Sequence, residues 1–600
     1  MAETHFSKLI SRQAWKYGDR AALRYRNDEL NQWLPVSWNE LDAQVRNAAK
    51  ALYDSGFQEQ QNIGIFSQNK PECFYIDFGV FANRGVSVPM YATSTAEQIE
   101  YIINDAKIDT IFVGEQYQYD VALTVLKRSE VLKKIIVFDD NVKIEAENSA
   151  YFSDFLKKGK TSNSQVAVDE RTARASADDI ATILYTSGTT GEPKGVVLPH
   201  SCYLEAMRIH DIRLPFISDQ DTSLCFLPLT HIFERAWSYF CLYNGILINI
   251  NLRPIEIQRA VAETRPTLMC SVPRFWEKVY AGIQEKLETY TPVMVGIVAW
   301  AIAVGKKYNI KYLKEEKRPP MFLRWKYKIA DKLVFSKLKK TLGIENGIMF
   351  PTAGAALSDE ICRFFRAVGV PITIGYGLTE SCATVCCFDR TKYVFDSIGK
   401  IMPGVQVKIG EDNEILLKGK TIFREYYNKP EATAQAFTED GWFRTGDAGA
   451  IDGETLFMTE RIKDLFKTSN GKYIAPQQIE TRLIADKYIE QVAVIGDQRN
   501  YVTALIVPAI APLEEFAKSL NISYETTEEL LKKPKIHEII SERIKEAQKD
   551  MAAYEQIKKF SLIAKGFSLE GGELTNTLKI KRTIILEKYR KLIDELYKKI

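Results

Sequence analysis

Residues 183–200 read ILYTSGTTGEPKGVVLPH, an apolar run followed by a loop rich in glycine, serine and threonine. Glycines let backbone N–H groups approach an anion closely, hydroxyls add donors, and Lys194 supplies positive charge. The segment is not a Walker A sequence, because Glu192 and Pro193 separate the last loop glycine from the lysine. A flexible surface loop is the alternative, but so ordered a sequence after an apolar run favours polyphosphate binding. The candidate phosphate-binding residues are Thr186, Ser187, Gly188, Thr189, Thr190, Gly191 and Lys194.

Strand-like and helical patterns alternate on both sides of this loop. Short apolar runs at 62–68, 110–114, 134–140 and 245–250 alternate with periodic stretches such as 96–106 and 119–132. Such alternation predicts an α/β fold with mostly parallel sheets and several subdomains.

The pattern changes after about residue 460. Runs at 491–497 and 502–509 predict a pair of strands, and the charged segment 512–558 is rich in helical patterns. The last stretch, 583–600, predicts an amphipathic terminal helix. We therefore expect a small α+β domain after the large α/β region.

Composition restricts the partners. The chain has 600 residues, and its 80 basic and 77 acidic side chains leave a formal charge of +3. Phosphate-backbone binding needs a concentrated basic face, so nucleic acid is excluded as the main partner. The charged, interrupted N-terminus lacks the apolar core of a secretory signal. Nine cysteines without a CxxC pair favour reduced thiols in the cytoplasm, and for the close trio Cys382, Cys386 and Cys387 we favour buried thiols over zinc.

Residues 281–345 form a separate, strongly basic insert. It contains VMVGIVAWAIAVG at 293–305, which is shorter than the roughly 20 residues of a membrane-spanning helix. We favour a packed helix, and an interfacial membrane helix flanked by lysines remains the alternative.

The loop sequence YTSGTTGEPKG resembles the phosphate-binding signature of the adenylate-forming superfamily, which includes acyl-CoA synthetases, luciferases and adenylation domains of peptide synthetases. Other motifs follow in family order over roughly residues 60–590. The resemblance implies a large N-terminal domain at 1–460, a hinge at 461–464, and a small mobile C-terminal domain at 465–600.

GYGLTE at 375–380 resembles the family segment between adenine and the phosphates. The resemblance implies that Tyr376 stacks on adenine, Thr379 meets phosphate and Glu380 holds Mg²⁺, with Thr186 a second magnesium candidate. A carboxylate is a suitable hard ligand for this cation. The flanking Gly375 and Gly377 belong to the same nucleotide-binding segment.

Two further segments resemble the nucleoside-binding parts of the family. PTAGAAL at 351–357 resembles the adenine-side loop and contributes Gly354 and Ala355, although Ala353 stands where relatives often have glycine. WFRTGD at 442–447 ends in Asp447, the implied ribose ligand, and Arg461 is implied to reach the same ribose.

The C-terminal region resembles the mobile half of these enzymes. Lys463 falls at the family hinge, and Gly471 falls where the pantetheine tunnel passes close to backbone. ELTNTLKIKR at 573–582 resembles the catalytic-lysine motif and implies Lys579, with Leu578 in place of a common glycine as a mark of the long-chain branch.

Two segments indicate which branch of the family the chain resembles. LPLTHIFERAW at 227–237 places His231 at the implied acyl and thioester site, with a packed core histidine as the alternative. VPRFWEKVY at 272–280, followed by the insert, is similar to long-chain acyl-CoA synthetases. We expect Trp237 and Trp276 to pack in the core rather than touch substrate.

The resemblance therefore implies activation of a long-chain fatty acid by ATP and Mg²⁺, followed by thioester formation with coenzyme A. A fatty acyl-AMP ligase that serves a carrier protein is the nearest alternative. A non-enzymatic scaffold is disfavoured, because Glu380, Asp447 and Lys579 are all retained. The insert adds peripheral association with the inner face of a membrane as an expectation.

Overall fold

The computed structural model describes residues 5–186, 192–461, 466–469, 473–568, 570–575 and 579–598, with the backbone alone for residues 460, 461, 467 and 473. The strands are β1 (Ala21–Asn27), β2 (Gln32–Ser37), β3 (Asn62–Phe66), β4 (Val86–Met90), β5 (Thr110–Val113), β6 (Lys134–Val137), β7 (Ser149–Tyr151), β8 (Ile180–Thr186), β9 (Lys194–Pro199), β10 (Thr222–Cys225), β11 (Leu247–Ile250), β12 (Phe350–Thr352), β13 (Ile372–Tyr376), β14 (Cys386–Cys387), β15 (Gly399–Ile401), β16 (Gln406–Ile409), β17 (Glu414–Lys418), β18 (Phe443–Asp452), β19 (Thr455–Arg461), β20 (Phe466–Lys467), β21 (Tyr473–Ile474), β22 (Ile489–Ile495), β23 (Val502–Pro508) and β24 (Ile557–Leu562).

The helices are α1 (Leu9–Tyr17), α2 (Trp38–Asp54), α3 (Pro71–Ala82), α4 (Ala96–Asp105), α5 (Gln116–Leu126), α6 (Phe152–Thr161), α7 (Gln165–Ala173), α8 (His200–Arg213), α9 (Ile232–Asn244), α10 (Ile257–Thr264), α11 (Pro273–Glu288), α12 (Pro292–Gly305), α13 (Met321–Ala330), α14 (Ser336–Leu342), α15 (Asp359–Ala367), α16 (Pro430–Ala436), α17 (Pro476–Ile484), α18 (Ile510–Ser519), α19 (Thr527–Lys532), α20 (Pro534–Ala547), α21 (Arg582–Lys588) and α22 (Arg590–Tyr597).

A seven-stranded sheet, in the order β7-β6-β5-β3-β4-β8-β9, supports the phosphate-loop segment. Its strands from β7 to β8 are parallel, and β9 returns antiparallel to β8. Every residue of β3 and β4 is buried, because helices cover both faces and a strand buried on both faces must be apolar throughout. The predicted α/β fold and the predicted strands at 62–68, 110–114 and 134–140 are confirmed.

Local capping fixes the helices on this sheet. Ser37 caps the N-terminus of helix α2. Its hydroxyl accepts from the Glu40 N–H at 3.1 Å, and the Glu40 carboxylate accepts from the Ser37 N–H at 2.8 Å. This reciprocal pair satisfies two backbone donors that the first helical turn leaves free. The buried residues of α2, including Leu41 and Val45, face the core cluster beneath it.

The other sheets of the large region depart in part from the parallel pattern. The four-stranded sheet β10-β11-β1-β2 is parallel except for β2, which is joined to β1 by a short turn. In the eight-stranded sheet β12-β13-β14-β15-β19-β18-β17-β16, β12 and β13 alone run parallel. Short connections such as the one between β18 and β19 permit antiparallel neighbours, whereas parallel ones need a long crossover.

The insert is helical, as predicted, but its apolar helix is not packed as we had favoured. The first turns of α12 are solvent-exposed, with Val293 at 73% exposure, and burial begins near Ala301. Beyond Gly305 the helix continues through π-helical turns to Leu313. The preference for a packed helix was wrong for the N-terminal half of α12, because no other part of the described chain covers it.

The small C-terminal region has its own core. Its sheet β22-β23-β24 pairs the two predicted strands antiparallel and adds β24 parallel to β23. One face packs against helices α17 to α20 and the other against α21 and α22. The terminal helix, predicted as continuous, is divided at Tyr589 into α21 and α22.

The two tryptophans that we expect in the core, Trp237 and Trp276, are buried there. Trp276 is fully buried and donates from Nε1 to Ser271 Oγ at 2.8 Å, and Trp237 donates to Ser223 Oγ at 3.0 Å. These contacts confirm that both rings pack in the core. All nine cysteines are buried free thiols, as predicted.

Candidate active site

A cleft of about 1790 Å³ lies between the large region and the small C-terminal region. It collects most of the residues selected from sequence, namely Thr186, Lys194, His231, Gly354, Ala355, Gly375, Tyr376, Gly377, Thr379, Glu380, Asp447 and Lys579. Ser187, Gly188, Thr189, Thr190, Gly191, Lys463 and Gly471 lie outside the described residues, as does the side chain of Arg461. Residues far apart in sequence therefore converge on one cavity.

The phosphate-loop segment is held by a β-hairpin. Strands β8 and β9 pair antiparallel with Thr186 opposite Lys194, so both ends of the connecting segment reach the cleft together. The Lys194 ammonium lies 4.9 Å from the centre of the Tyr426 ring, which orients the cation by a cation–π contact. The chain enters a strand after the loop, whereas a Walker A loop enters a helix.

Tyr376 at the end of β13 and Asp447 on β18 form a hydrogen-bonded pair. The Tyr376 hydroxyl donates to Asp447 Oδ2 at 2.5 Å, and Asp447 is almost fully buried. Burial, followed by the Asp447 charge, raises the pKa of Tyr376, so its hydroxyl stays protonated as a donor. Strand pairing sets Asp447 opposite Arg461. A carboxylate has about four acceptor positions, so Asp447 can still accept from further hydroxyl groups.

Two glycines near this pair are required by the backbone. A Cβ at Gly377 would lie 1.3 Å from the Ala383 carbonyl oxygen, so no other residue fits there. Gly354, in the loop after β12, has a φ of +91°, which side chains rarely adopt. Both glycines line the cleft, and they let the GYGLTE and PTAGAAL segments turn into it.

Glu380 follows in the same segment, and it is positioned by a residue that the sequence did not single out. The Tyr426 hydroxyl donates to Glu380 Oε1 at 2.8 Å, and burial, with the Glu380 charge, raises the pKa of Tyr426. Magnesium in phosphate sites keeps several waters and takes one or two protein carboxylates plus substrate oxygens. Glu380 fits that requirement. Among the described residues there is no cluster of three or more metal-ligating side chains that would hold a cation without the nucleotide.

Thr186, the second magnesium candidate, lies at the end of β8 and lines the same cleft. Its hydroxyl donates to the Lys194 carbonyl at 3.4 Å, which is a long hydrogen bond that a stronger acceptor or a cation could replace. Thr186 therefore keeps the geometry of an accessible oxygen ligand.

His231 caps helix α9 and faces the cleft. Its Nδ1 accepts from the Phe233 N–H at 3.2 Å, so the neutral ring carries its proton on Nε2. Burial, followed by the positive charge of Lys579, lowers the pKa of His231 to about 4. At neutral pH the residue is therefore a hydrogen-bond donor at Nε2 and carries no charge.

Lys579 belongs to the small region and lines the cleft. The Thr575 N–H donates to the Lys579 carbonyl at 2.7 Å, and the Lys579 N–H donates to Thr575 Oγ1 at 3.0 Å. An antiparallel β-bridge between Leu574 and Ile580 lies beside these two hydrogen bonds. Because its charge contributes to the lowered pKa of His231, this lysine adds positive potential to the part of the cleft that His231 faces.

Helix α11 forms one wall of the cleft and contacts the small region. Tyr280, Gln284 and Glu288 line the cavity, and Glu288 accepts a hydrogen bond from Lys487. Arg274, at the start of α11, lies 3.7 Å from Glu490. No local sequence pattern marks these contacts between the two regions. They could therefore not be predicted from the sequence.

A parallel-sheet region that brings a hairpin rich in glycine and hydroxyl residues, the buried carboxylate of Asp447 and Lys579 from the small region to one cleft is the arrangement expected of adenylate-forming enzymes. Comparison with protein families agrees with this class. Residues 10–427 match the AMP-binding enzyme family, and residues 463–600 match the AMP-binding enzyme C-terminal domain. The chain belongs to this family.

Individual relatives support the same assignment. A long-chain fatty acid–CoA ligase of Mycobacterium bovis is 30% identical over 570 residues, covering 94% of this chain and 93% of the relative. A long-chain fatty acid–CoA ligase of Mus musculus is 28% identical over 625 residues, covering 98% and 92%.

Solved structures share the fold at lower identity. The adenylation domain of a carboxylate reductase from Mycobacterium chelonae superposes with a TM-score of 0.78 at 21% identity, covering 99% of this chain and 91% of that chain. An anthranilate CoA ligase in complex with anthranoyl-AMP superposes with a TM-score of 0.73 at 17% identity, covering 99% and 98%. At these identities the similarity concerns the fold alone.

Proposed function

We propose that this enzyme activates a long-chain fatty acid with ATP and transfers the acyl group to coenzyme A, releasing pyrophosphate and AMP. The observation that carries the proposal is the convergence of Lys194, Glu380, Asp447 and Lys579 on one cleft. The long-chain preference is supported by the relatives at 28–30% identity, whose names state that substrate class.

In the first step a carboxylate oxygen attacks the α-phosphorus of ATP, the bond to the bridging oxygen breaks, and pyrophosphate departs. Both reactants are anions, so positive charge must offset their repulsion. Lys194 would neutralise the departing phosphates, and Lys579 would stabilise the charge that develops at the α-phosphate. Mg²⁺ that arrives with ATP supplies further neutralisation, and Glu380, oriented by Tyr426, would hold it. Asp447 would accept hydrogen bonds from the ribose.

In the second step the thiol of coenzyme A attacks the acyl carbonyl, the carbon–oxygen bond to AMP breaks, and the thiol proton passes to solvent or phosphate. His231 is neutral above about pH 4 and would donate from Nε2 to the acyl oxygen rather than act as a base. Rotation of the small domain about residues 461–464 would withdraw Lys579 and bring Gly471 to the pantetheine channel.

The location of the protein is proposed from its thiols. All nine cysteines are free, which suits a reducing compartment, and we propose that the enzyme works in the cytoplasm.

The test is release of AMP and pyrophosphate with Mg²⁺, ATP and coenzyme A across acids from acetate to stearate. We expect the highest kcat/KM with long-chain acids. Lys579→Ala should slow acyl-AMP formation by about 10²–10³-fold, because one preorganised charge donor contributes about 3–4 kcal/mol to such a transition state. Lys581→Ala, two residues away, is the matched control and should keep nearly full activity.

Two results would separate this proposal from its neighbours. A maximum at acetate would contradict the long-chain substrate while leaving the ligase reaction in place. Formation of acyl-AMP without any thioester in the presence of free coenzyme A would favour a ligase that serves a carrier protein.

A further inference from the structure

The basic insert presents an apolar surface that the described chain leaves uncovered. On α12 this surface consists of Val293, Met294, Val295 and Ile297, and all four are exposed. Exposed apolar side chains that are scattered singly are ordinary, but a contiguous group of large ones marks a site of interaction.

Helix α13 packs beside α12 and extends the surface. Met321, Phe322 and Trp325 on this helix are 85%, 65% and 60% exposed. The rings of Phe322 and Trp325 stack with centroids 6.5 Å apart, and the Lys326 ammonium lies 4.4 Å from the Phe322 ring. We call the exposed side chains of Val293, Met294, Val295, Ile297, Met321, Phe322 and Trp325 the apolar patch.

Charge in the insert differs sharply from the rest of the chain. Residues 281–345 contain 14 Lys and Arg against 6 Asp and Glu, whereas the remaining residues contain 66 against 71. Lys326 lies against the apolar patch at Phe322, and the exposed basic side chains of the insert include Lys306, Lys307, Arg318, Arg324 and Lys328. Large apolar side chains bordered by lysine and arginine are the composition that binds anionic lipid surfaces.

The geometry favours a helix lying on a membrane over one that crosses it. Among the described residues, one helix, Pro292–Leu313, is long and apolar enough to span a bilayer, with a mean hydropathy of 1.3. Its second half is fixed to the large region, because Ala301 and Val304 are buried and Asn309 donates to the Ala367 carbonyl at 2.8 Å. A Cβ at Gly305 would lie 2.3 Å from that same carbonyl oxygen, which shows how closely the helix is packed there.

The apolar patch begins close to the active-site cleft. Glu288, the last residue of α11, lines the cleft, and Thr291 caps α12 three residues later. A surface that engages α12 would therefore lie within a few residues of the cavity rim.

We propose that the apolar patch docks into the headgroup region of an anionic membrane, with the bordering lysines and arginines on lipid phosphates. Docking depends on the apolar patch and its charges alone. Its use, the delivery of a fatty acid from the bilayer to the cleft, rests on the proposed function.

The experiment measures flotation of the full-length protein with vesicles, without ATP or coenzyme A. Vesicles of phosphatidylcholine alone are compared with a mixture that contains phosphatidylglycerol. We expect binding to the anionic vesicles. The triple variant Met321→Ser, Phe322→Ser, Trp325→Ser should weaken this binding by about ten-fold or more, because it removes apolar surface that docking would bury. The double variant Arg324→Glu, Lys328→Glu should weaken binding to the anionic vesicles by about ten-fold or more and leave phosphatidylcholine binding nearly unchanged.

The matched control is the double variant Trp15→Ser, Ile255→Ser, which removes equally exposed apolar side chains elsewhere. It should bind as the unmodified protein does. Absence of binding by the unmodified protein, or an equal loss in the control, would overturn the proposal. So would a dimer that the triple variant dissociates, if vesicles bind neither form, since the apolar patch would then contact a second copy. If vesicles bind but pyrophosphate is never released, the proposed function fails and the docking surface stands.

Discussion

Tyr426 shows how a residue without a motif can position one that has a motif. Its hydroxyl holds Glu380, and its ring lies beside the Lys194 ammonium. It is brought there by a bridge from Val196 to Tyr426 and by the hydrogen bond from the Phe423 N–H to the Glu380 carbonyl. The contact spans 46 positions in sequence, so a reading of local patterns could not find it.

At this position we predict that Tyr426→Phe raises the Mg²⁺ concentration needed for half-maximal activity by about ten-fold, because a hydrogen bond to a charged group contributes about 1.5 kcal/mol or more. The ring remains, so the Lys194 contact is kept. The measurement is a magnesium titration of acyl-AMP formation. Tyr427→Phe is the control, since its hydroxyl contacts Asn62 at 3.4 Å instead. An unchanged titration in Tyr426→Phe would show that Glu380 needs no such support.

Residues that were selected from sequence motifs lie together in one cleft. Tyr376, Asp447 and Lys579 come from three segments, and each lies in the same cleft. The motif letters did not report the bond between Tyr376 and Asp447, because the two residues lie 71 positions apart on strands that are not paired with each other. Their catalytic roles stay predictions.

Helix α9 carries a second buried titratable group besides its cap. Glu234 is fully buried and accepts from the Leu227 N–H at 3.1 Å, and burial raises the pKa of its carboxyl to about 8. The folded protein thus keeps a proton that the unfolded chain releases above its ordinary pKa of 4.5. This contribution to the free energy of unfolding is complete below that value, declines as the pH rises, and is lost above about pH 8.

We predict that Glu234→Gln removes this pH dependence, because the amide keeps the shape of the protonated acid. The free energy of unfolding of the unmodified protein, relative to the variant, should fall by about 1.4 kcal/mol per pH unit in this window. Urea unfolding at several pH values measures it. Glu147→Gln, at an exposed position, should not alter the dependence. Parallel curves for Glu234→Gln and the unmodified protein would contradict the assignment.

Elements differ in how far their sequences reveal them. The strands β3 and β4 are continuous apolar runs, and their burial on both faces follows from that composition. Helix α12 is equally apolar, but its N-terminal half is exposed. This exposure could not be predicted, because an all-apolar helix has no polar face that would indicate which side lacks a partner. The division of the terminal helix at Tyr589 likewise has no proline or glycine to signal it.

The whole molecule consists of two regions that meet across the cleft. Lys487 bonds Glu288, Arg274 lies near Glu490, and the charge of Lys579 reaches His231. The expected domain boundary near residue 460 rests on the change in the hydrophobic and helical patterns there, and it stays a prediction. The antiparallel sheet could not, since strand direction depends on connections rather than on strand sequence.

For the molecule as a whole we predict that Lys463→Pro spares acyl-AMP formation and slows thioester formation by about 10²-fold, the scale of a misplaced reacting group. A proline fixes one backbone dihedral of the proposed hinge and should hinder rotation of the small domain. Hydroxamate trapping and thioester formation, measured side by side, report the two half-reactions. An equal loss in both would place the hinge elsewhere.

The hairpin of β8 and β9 has a consequence for how nucleotide affinity depends on salt. A helix that starts at a phosphate contributes about half a positive charge from its aligned peptides, and that contribution is built into the backbone. Here the chain continues as a strand, so under the proposed function compensation would fall to the Lys194 ammonium and to the cation that accompanies ATP. Mobile ions screen an accessible ammonium more readily than a buried array of amides. We therefore expect the affinity of this enzyme for nucleotide to depend on the concentration and type of ions in solution.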